Sequence, residues 1–141
     1  MNFSKTTEYA LRIMSFLAMD EKRLISSKEI SRSVNVPFRY LRKLLLVLAK
    51  SGLINSVQGK NGGYKISKNL SDISILDIIQ AVGVDHIKNE CFFGFQDCAF
   101  INKCTIHDKW TAVQENINNV LTTTSLAELK GTGPHSFILK Q

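Results

Sequence analysis

No stretch of this chain is apolar for long enough to span a bilayer, which argues against a membrane helix. The opening segment, MNFSKTTEYALRIM, lacks the basic, then apolar, then small-residue order of a signal peptide, and so predicts a cytoplasmic protein. Cysteine is scarce. The 141 residues hold three, an odd number, all between Cys91 and Cys104. In a reducing compartment that pattern argues against a disulfide framework and points to metal binding or redox chemistry. No glycine-rich nucleotide motif follows a strand and opens a helix, and no acid–base constellation is evident. The expectation is therefore a non-enzyme with no small-molecule substrate.

What is present is an ordinary core and an uneven charge. The apolar fraction of 44% suffices for one compact domain with an appended element. The net charge of +6 is concentrated: residues 1–70 carry thirteen Lys/Arg against four Asp/Glu, and residues 71–141 carry five against eight. A basic first half is the footprint of a polyanionic partner, most often nucleic acid.

The periodicity predicts mostly helix. Ser4 caps a first helix to about Met19, with Tyr9, Ile13, Phe16 and Leu17 on one face. Ser26 and Glu29 fit a capping box that opens a short helix over Lys28–Ser33. After a brief turn at Val34-Asn35-Val36, Pro37 suits the first turn of a helix that turns Leu41, Leu44, Leu45 and Leu48 inward and stops at Gly52. Two helices joined by a tight turn, the second one basic, form a helix-turn-helix. LINSVQGKNGGYKIS then reads as two strands around Gly59–Gly63, with Asn61-Gly62 as the hairpin signal; a hairpin in that place is a wing.

Ser74 caps a further short helix to about Val82, and residues 83–105 show no period. A long helix follows from His107 to about Thr122. Ile106, Trp110, Val113, Ile117 and Val120 alternate in steps of four and three, the seam of a helix packed on another long helix, and so predict a homodimer. A short helix from Thr124 or Ser125 to Gly131 precedes a loose tail. The resulting division is a winged helix-turn-helix DNA-binding domain (1–82), a cysteine loop (83–105), a dimerisation helix with a short terminal helix (106–130) and a flexible tail (131–141).

The second helix of a helix-turn-helix enters the major groove and meets base edges with its first turns. Those positions hold Phe38, Arg39, Tyr40, Arg42 and Lys43. Arg39 and Arg42 share a face; arginine reads guanine or anchors phosphate, and anchoring is the preferred role for Arg42 and Lys43. Tyr40 suits either the DNA or the core. Lys60 and Asn61 at the wing tip reach a neighbouring groove or backbone. Ser27 and Lys28 open the preceding helix and suit phosphate.

With these parts in order, the chain resembles the bacterial winged-helix regulators of the IscR and NsrR kind (the Rrf-two family) over about residues 1–130. The matching pieces are TEYALR, the run Gly59-Lys60-Asn61-Gly62-Gly63-Tyr64, the three cysteines, and TSLAEL at 124–129. The resemblance implies a dimeric DNA-binding transcription factor, and for many members an iron–sulfur cluster on the three cysteines. Two departures stand out. Gln58 occupies a position where the family often has arginine, which suggests a different operator preference. The first cysteine gap, six residues from Cys91 to Cys98, is one longer than in IscR.

Clusters are commonly held by four ligands, with histidine a known substitute for a thiolate. His107, three residues after Cys104, would complete a Cys3His set around a two-iron cluster in the IscR pattern, the preferred reading. Glu8 of a partner subunit would instead complete a four-iron cluster in the NsrR pattern. Structural zinc usually takes tighter cysteine pairs, and bare thiols occur in the family's cluster-free cysteine-metabolism repressors. Phe92, Phe93, Phe95 and Phe100 belong either to the core or to an apolar shell around the group. The expected function is thus a repressor sensing redox state, nitric oxide, iron or cluster supply. A cluster-free or zinc-binding thiol-responsive repressor of the same fold is the alternative.

Overall fold

The computed structural model describes residues 3–83, 90–95 and 103–132, the side chains of 131 and 132 excepted. Six helices and one hairpin follow in order: α1 (Lys5–Met19), α2 (Ser27–Val34), α3 (Phe38–Lys50), β1 (Ile54–Val57), β2 (Gly63–Ile66), α4 (Ile75–Ala81), α5 (His107–Thr123) and α6 (Leu126–Thr132). A single 3-10 turn, Leu70–Asp72, precedes α4. The expected fold class, mostly helical with a hairpin wing, is the observed one.

Local chemistry sets most helix starts. The Ser4 hydroxyl accepts from the Thr7 N–H, and the Thr7 hydroxyl, fully buried, bonds the same oxygen at 3.1 Å. Ser74 and Asp77 form a complete capping box on α4. The box expected on α2 forms only in half. Ser26 Oγ accepts from the Glu29 N–H at 3.3 Å, but the Glu29 carboxylate reaches back to the Arg23 guanidinium at 2.8 Å. A charged donor outside the helix takes the carboxylate that would otherwise bond the Ser26 N–H. Arg23 holds the Glu29 carboxyl below its ordinary value, by hydrogen bond first and by charge as well, against the opposing effect of burial. A depressed carboxyl contributes stability above the unfolded pKa and loses it as pH falls through the folded one. Wild type and Glu29→Gln should therefore differ in Tm at neutral pH and converge in acid, which a pH series of melts would show.

α2 ends at Asn35, whose left-handed φ of 52° is tolerable for asparagine. Pro37 sits at the N-cap of α3, one place ahead of the expected first turn, since its ψ of 131° is extended. Leu41, Leu44, Leu45 and Leu48 face inward as expected, and Gly52 leaves α3 with φ 78°.

The wing differs in detail from an Asn-Gly turn. Gly59 carries the positive φ, 109°, whereas neither Asn61 nor Gly62 does. β1 and β2 pair antiparallel from Ile54↔Ile66 to Val57↔Gly63. A third segment joins them: Ile25 and Tyr64 exchange two N–H···O bonds at 2.9 Å each. Gly63 lies so close to this segment that a Cβ there would meet the Ile25 carbonyl oxygen at 2.7 Å.

The core gathers Ile13, Met14, Leu17, Ile30, Leu41, Leu45, Leu48, Ile73 and Ile78, all fully buried. Leu126, from the far end of the chain, joins them with no exposed surface, and α6 packs on α1. The Leu126 N–H donates to Ile73 O at 2.9 Å, and the Ile75 N–H donates to Thr124 O at 3.0 Å. The end of α5 is therefore fastened to the unit that α1–α4 build. α5 itself buries no residue in this single chain; Val113 and Val120 are about half exposed. The loose-tail reading falls on residues outside those described, apart from the last two of α6.

Candidate nucleic-acid interface and cysteine segment

α3 has two chemically distinct sides. Leu41, Leu44, Leu45 and Leu48 face the core, while Phe38, Arg39, Arg42, Lys43, Leu46 and Val47 are exposed. The helix contains no acidic residue, and among the described residues none of its exposed cations is in an ion pair. Arg39, Arg42 and Lys43 line a concavity of about 530 Å³ together with Ser56, Gln58 and Tyr64 of the wing region. The structure thus brings Gln58 of the wing to the same depression as the helix cations, a grouping that the sequence did not reveal. Lys60 and Asn61 are exposed at the wing tip, Lys28 is exposed and Ser27 half-buried at the start of α2.

Tyr40 belongs with the core side. It is half-buried, its ring meets Tyr9 edge-on at 5.5 Å, and its hydroxyl bonds the Thr6 hydroxyl. Both partners lie on α1, and the Arg12 guanidinium caps the Tyr9 ring at 5.4 Å. Of the two roles the sequence allows Tyr40, the structure favours a clamp between α1 and the exposed helix.

The cysteine segment is held to α5. Cys104 precedes the helix, and the His107 N–H donates to its carbonyl at 3.0 Å. Cys91 lies beside Glu90, whose carbonyl accepts from Trp110 Nε1 at 3.0 Å and Gln114 Nε2 at 3.2 Å. The Phe92 ring meets Trp110 edge-on at 5.4 Å, and Gly94, with φ 80°, closes a turn onto the Cys91 carbonyl. Trp110 and Gln114, one turn apart, thus pin the Cys91 stretch to the first half of α5. Gln114 went unnoticed in the sequence because its partner is a backbone carbonyl.

Cys91 and Cys104 are half-buried free thiols. Cys98, Phe100 and most of the loop between lie outside the described residues. Among the described residues no three His, Cys, Asp or Glu side chains converge as a metal site. Glu8, the alternative ligand, is half-buried on α1 and pairs with Lys5 at 3.1 Å. The donor types suit a thiophilic group: Cys104 and His107 stand at the start of α5, and the Cys91 stretch is tied to the same helix beside the Phe92–Trp110 ring pair.

A helix-turn-helix with a basic outer face, a hairpin wing beside it and a long helix leading away defines the winged-helix class of DNA-binding transcriptional regulators. The chain belongs to the Rrf2 family, described as iron-dependent transcriptional regulators, which matches residues 3–132. It is 34% identical to the HTH-type transcriptional regulator NsrR of Oceanobacillus iheyensis over 108 residues, covering 75% of this chain and 74% of that one. It is 31% identical to IscR of Yersinia pseudotuberculosis over 130 residues, 92% of this chain and 79% of that one. In structure it is similar to CymR, the global cysteine regulator of Bacillus subtilis, with a TM-score of 0.82 at 25% identity over 95% of this chain and 99% of that one. No helix among the described residues is long and apolar enough to cross a membrane.

Proposed function

We propose that this chain is a cytoplasmic homodimeric repressor that binds operator DNA through α3 and the wing and senses its signal through an iron–sulfur cluster on Cys91, Cys98 and Cys104. The observation that carries the reading is the attachment of the cysteine segment to α5 by the Glu90 carbonyl, together with the fastening of the other end of α5 to the winged-helix unit. Bound there, a cluster supplies a centre that reacts with oxidants, nitric oxide or iron depletion. The thiolates of Cys91, Cys98 and Cys104, with His107, would hold a two-iron form. Glu8 of the partner subunit in place of His107 would suit a four-iron form. The Trp110 ring, with Phe92 edge-on to it, would stand on one side of the group, and Trp110 and Gln114 orient the Cys91 stretch.

The half-exposed seam of α5 gives the homodimer its surface, since Val113 and Val120 find no cover among the described residues. Arg39, Arg42, Lys43, Gln58, Lys60, Asn61, Ser27 and Lys28 are the DNA contacts in this reading, with Tyr40 in support. A ligand-dependent change in how α5 sits against α1–α4 would alter the spacing of the two α3 helices and hence operator affinity.

A second reading has a specific support in the likeness to the cysteine regulator CymR. In it the thiols, bare or on zinc, respond directly, with no cluster.

The test is anaerobic purification with iron, sulfide and zinc assays, followed by DNA titration at several salt concentrations. The cluster reading expects iron and sulfide in the wild type, both lost in Cys98→Ala. Ligand choice then follows from whether His107→Ala or Glu8→Ala loses the metal. Colourless, iron-free protein after anaerobic reconstitution overturns the cluster and leaves the thiol reading. For the DNA face, Lys43→Ala should lower the slope of log K against log salt by about 1.

A further inference from the structure

The basic face of α3 carries two side chains that electrostatics does not explain. Leu46 is 57% exposed and Phe38 is 42% exposed. Single exposed apolar residues are ordinary on protein surfaces. These two are placed differently. They flank Arg42 at steps of four, so Phe38, Arg42 and Leu46 form one row along the helix, on the flank beside the core leucines that faces the wing. All three line the same concavity, whose other wall carries Ser56 and Gln58 of the wing.

A leucine or phenylalanine can neither bond a phosphate nor pair with the donors and acceptors of a base edge. On a surface ringed by Arg39, Arg42 and Lys43, its natural counterpart is an apolar group held inside a polyanion. The major groove presents one such group, the C5-methyl of thymine. Eight residues of helix separate Phe38 from Leu46 by about 12 Å, which matches three to four base steps of about 3.4 Å along one strand. We infer that Phe38 and Leu46 read thymine methyl groups on either side of the position met by Arg42, so that this protein selects operators by methyl contact as well as by arginine. The inference rests on the DNA-binding reading above and adds the specificity that the cations alone do not supply.

The test keeps the protein intact and alters the DNA by single methyl groups. A preferred sequence is selected from a pool of random duplexes with the full chain. Each thymidine is then replaced in turn by 2′-deoxyuridine, which lacks only the methyl. Wild type should lose about fourfold in affinity at each contacted thymine, the equivalent of one buried methyl group. Leu46→Ala should bind those duplexes about equally with and without one of these methyls, and Phe38→Ala should do so for another. Neither side chain is part of the buried core, so neither variant should unfold, and melting curves check this.

Indifference of the wild type to every deoxyuridine overturns the inference while leaving DNA binding in place. So does a methyl sensitivity that both variants retain. An unchanged DNA profile for Leu46→Ala overturns the assignment of Leu46 to a thymine methyl. Failure to select any preferred sequence would count against the DNA-binding reading itself, and the methyl inference would fall with it.

Discussion

Leu126→Ala is expected to destabilise the protein by about 2–5 kcal/mol, the range for removing a fully buried leucine from a packed core. The side chain has no exposed surface, although its helix has only seven residues and lies far along the chain. Its backbone N–H also belongs to the pair of bonds that fastens this stretch to residues 73–75. Leu129 is on the same helix but 38% exposed, so Leu129→Ala should change stability by no more than about 0.5 kcal/mol. Denaturant unfolding of the two variants beside the wild type separates burial from helix propensity, because alanine is equally favourable at both positions of this one helix. Equal midpoints for the two variants would mean that α6 contributes nothing to the core.

The second large effect is expected at the wing. Gly62 does not have a positive φ; what it needs is space. A Cβ there would overlap the Val57 carbonyl oxygen and meet Gln58 C and Gly59 O at 3.0 Å. All three are backbone atoms, which cannot swing aside as a side-chain tip can. Gly62→Ala should therefore open the hairpin tip, at a cost of about 1–3 kcal/mol as for other enforced backbone strain. The last rung, Val57↔Gly63, lies next to the clash, and Gln58, Lys60 and Asn61 would lose their present placement. Operator affinity should fall by more than the melting temperature suggests, since the core leucines of α3 are untouched. Gly59→Ala is the informative companion. It meets no atom within 4 Å but is strained by its φ of 109°. If Gly62→Ala bound DNA like the wild type with an unchanged melt, the close approach would have no consequence.

Much of this architecture was legible because its causes are local. Ser4 and Ser74 bond N–H groups three residues ahead, and the leucines of α3 recur at helical spacing, so neither depends on the rest of the chain. Ser26 and Glu29 have the same spacing, yet the box is only half formed, because Arg23 competes for the carboxylate from outside the helix. The Ile25–Tyr64 pairing was hidden because it joins segments far apart in sequence, and a lone LIS segment has no strand period to betray it. The hairpin was legible from its glycines, but which glycine needs left-handed φ and which needs room is decided only by the folded backbone. At the cysteine segment the donor types and spacing were plain. Their attachment to α5 was not, since the carbonyl of Glu90 carries it and a carbonyl is present at every residue. The α5 seam was visible as a pattern, and its Val113 and Val120 are about half exposed in the folded chain.

The meeting of α1 with α6 also sets an order of events in synthesis. The helix-turn-helix, wing and α4 are complete by residue 82, but the site that receives Leu126 stays empty until residues 126–132 have been made. At about 5–20 residues per second, that interval is roughly 3–10 s. Through it, the nascent winged helix carries an unfilled apolar notch beside α1. Contacts that span more than a hundred residues are also the slowest to form once the chain is free. A segment made more than forty residues after the wing and α4 thus closes the core, and a chain truncated before Leu126 should persist as a loosened, protease-sensitive form of the same fold.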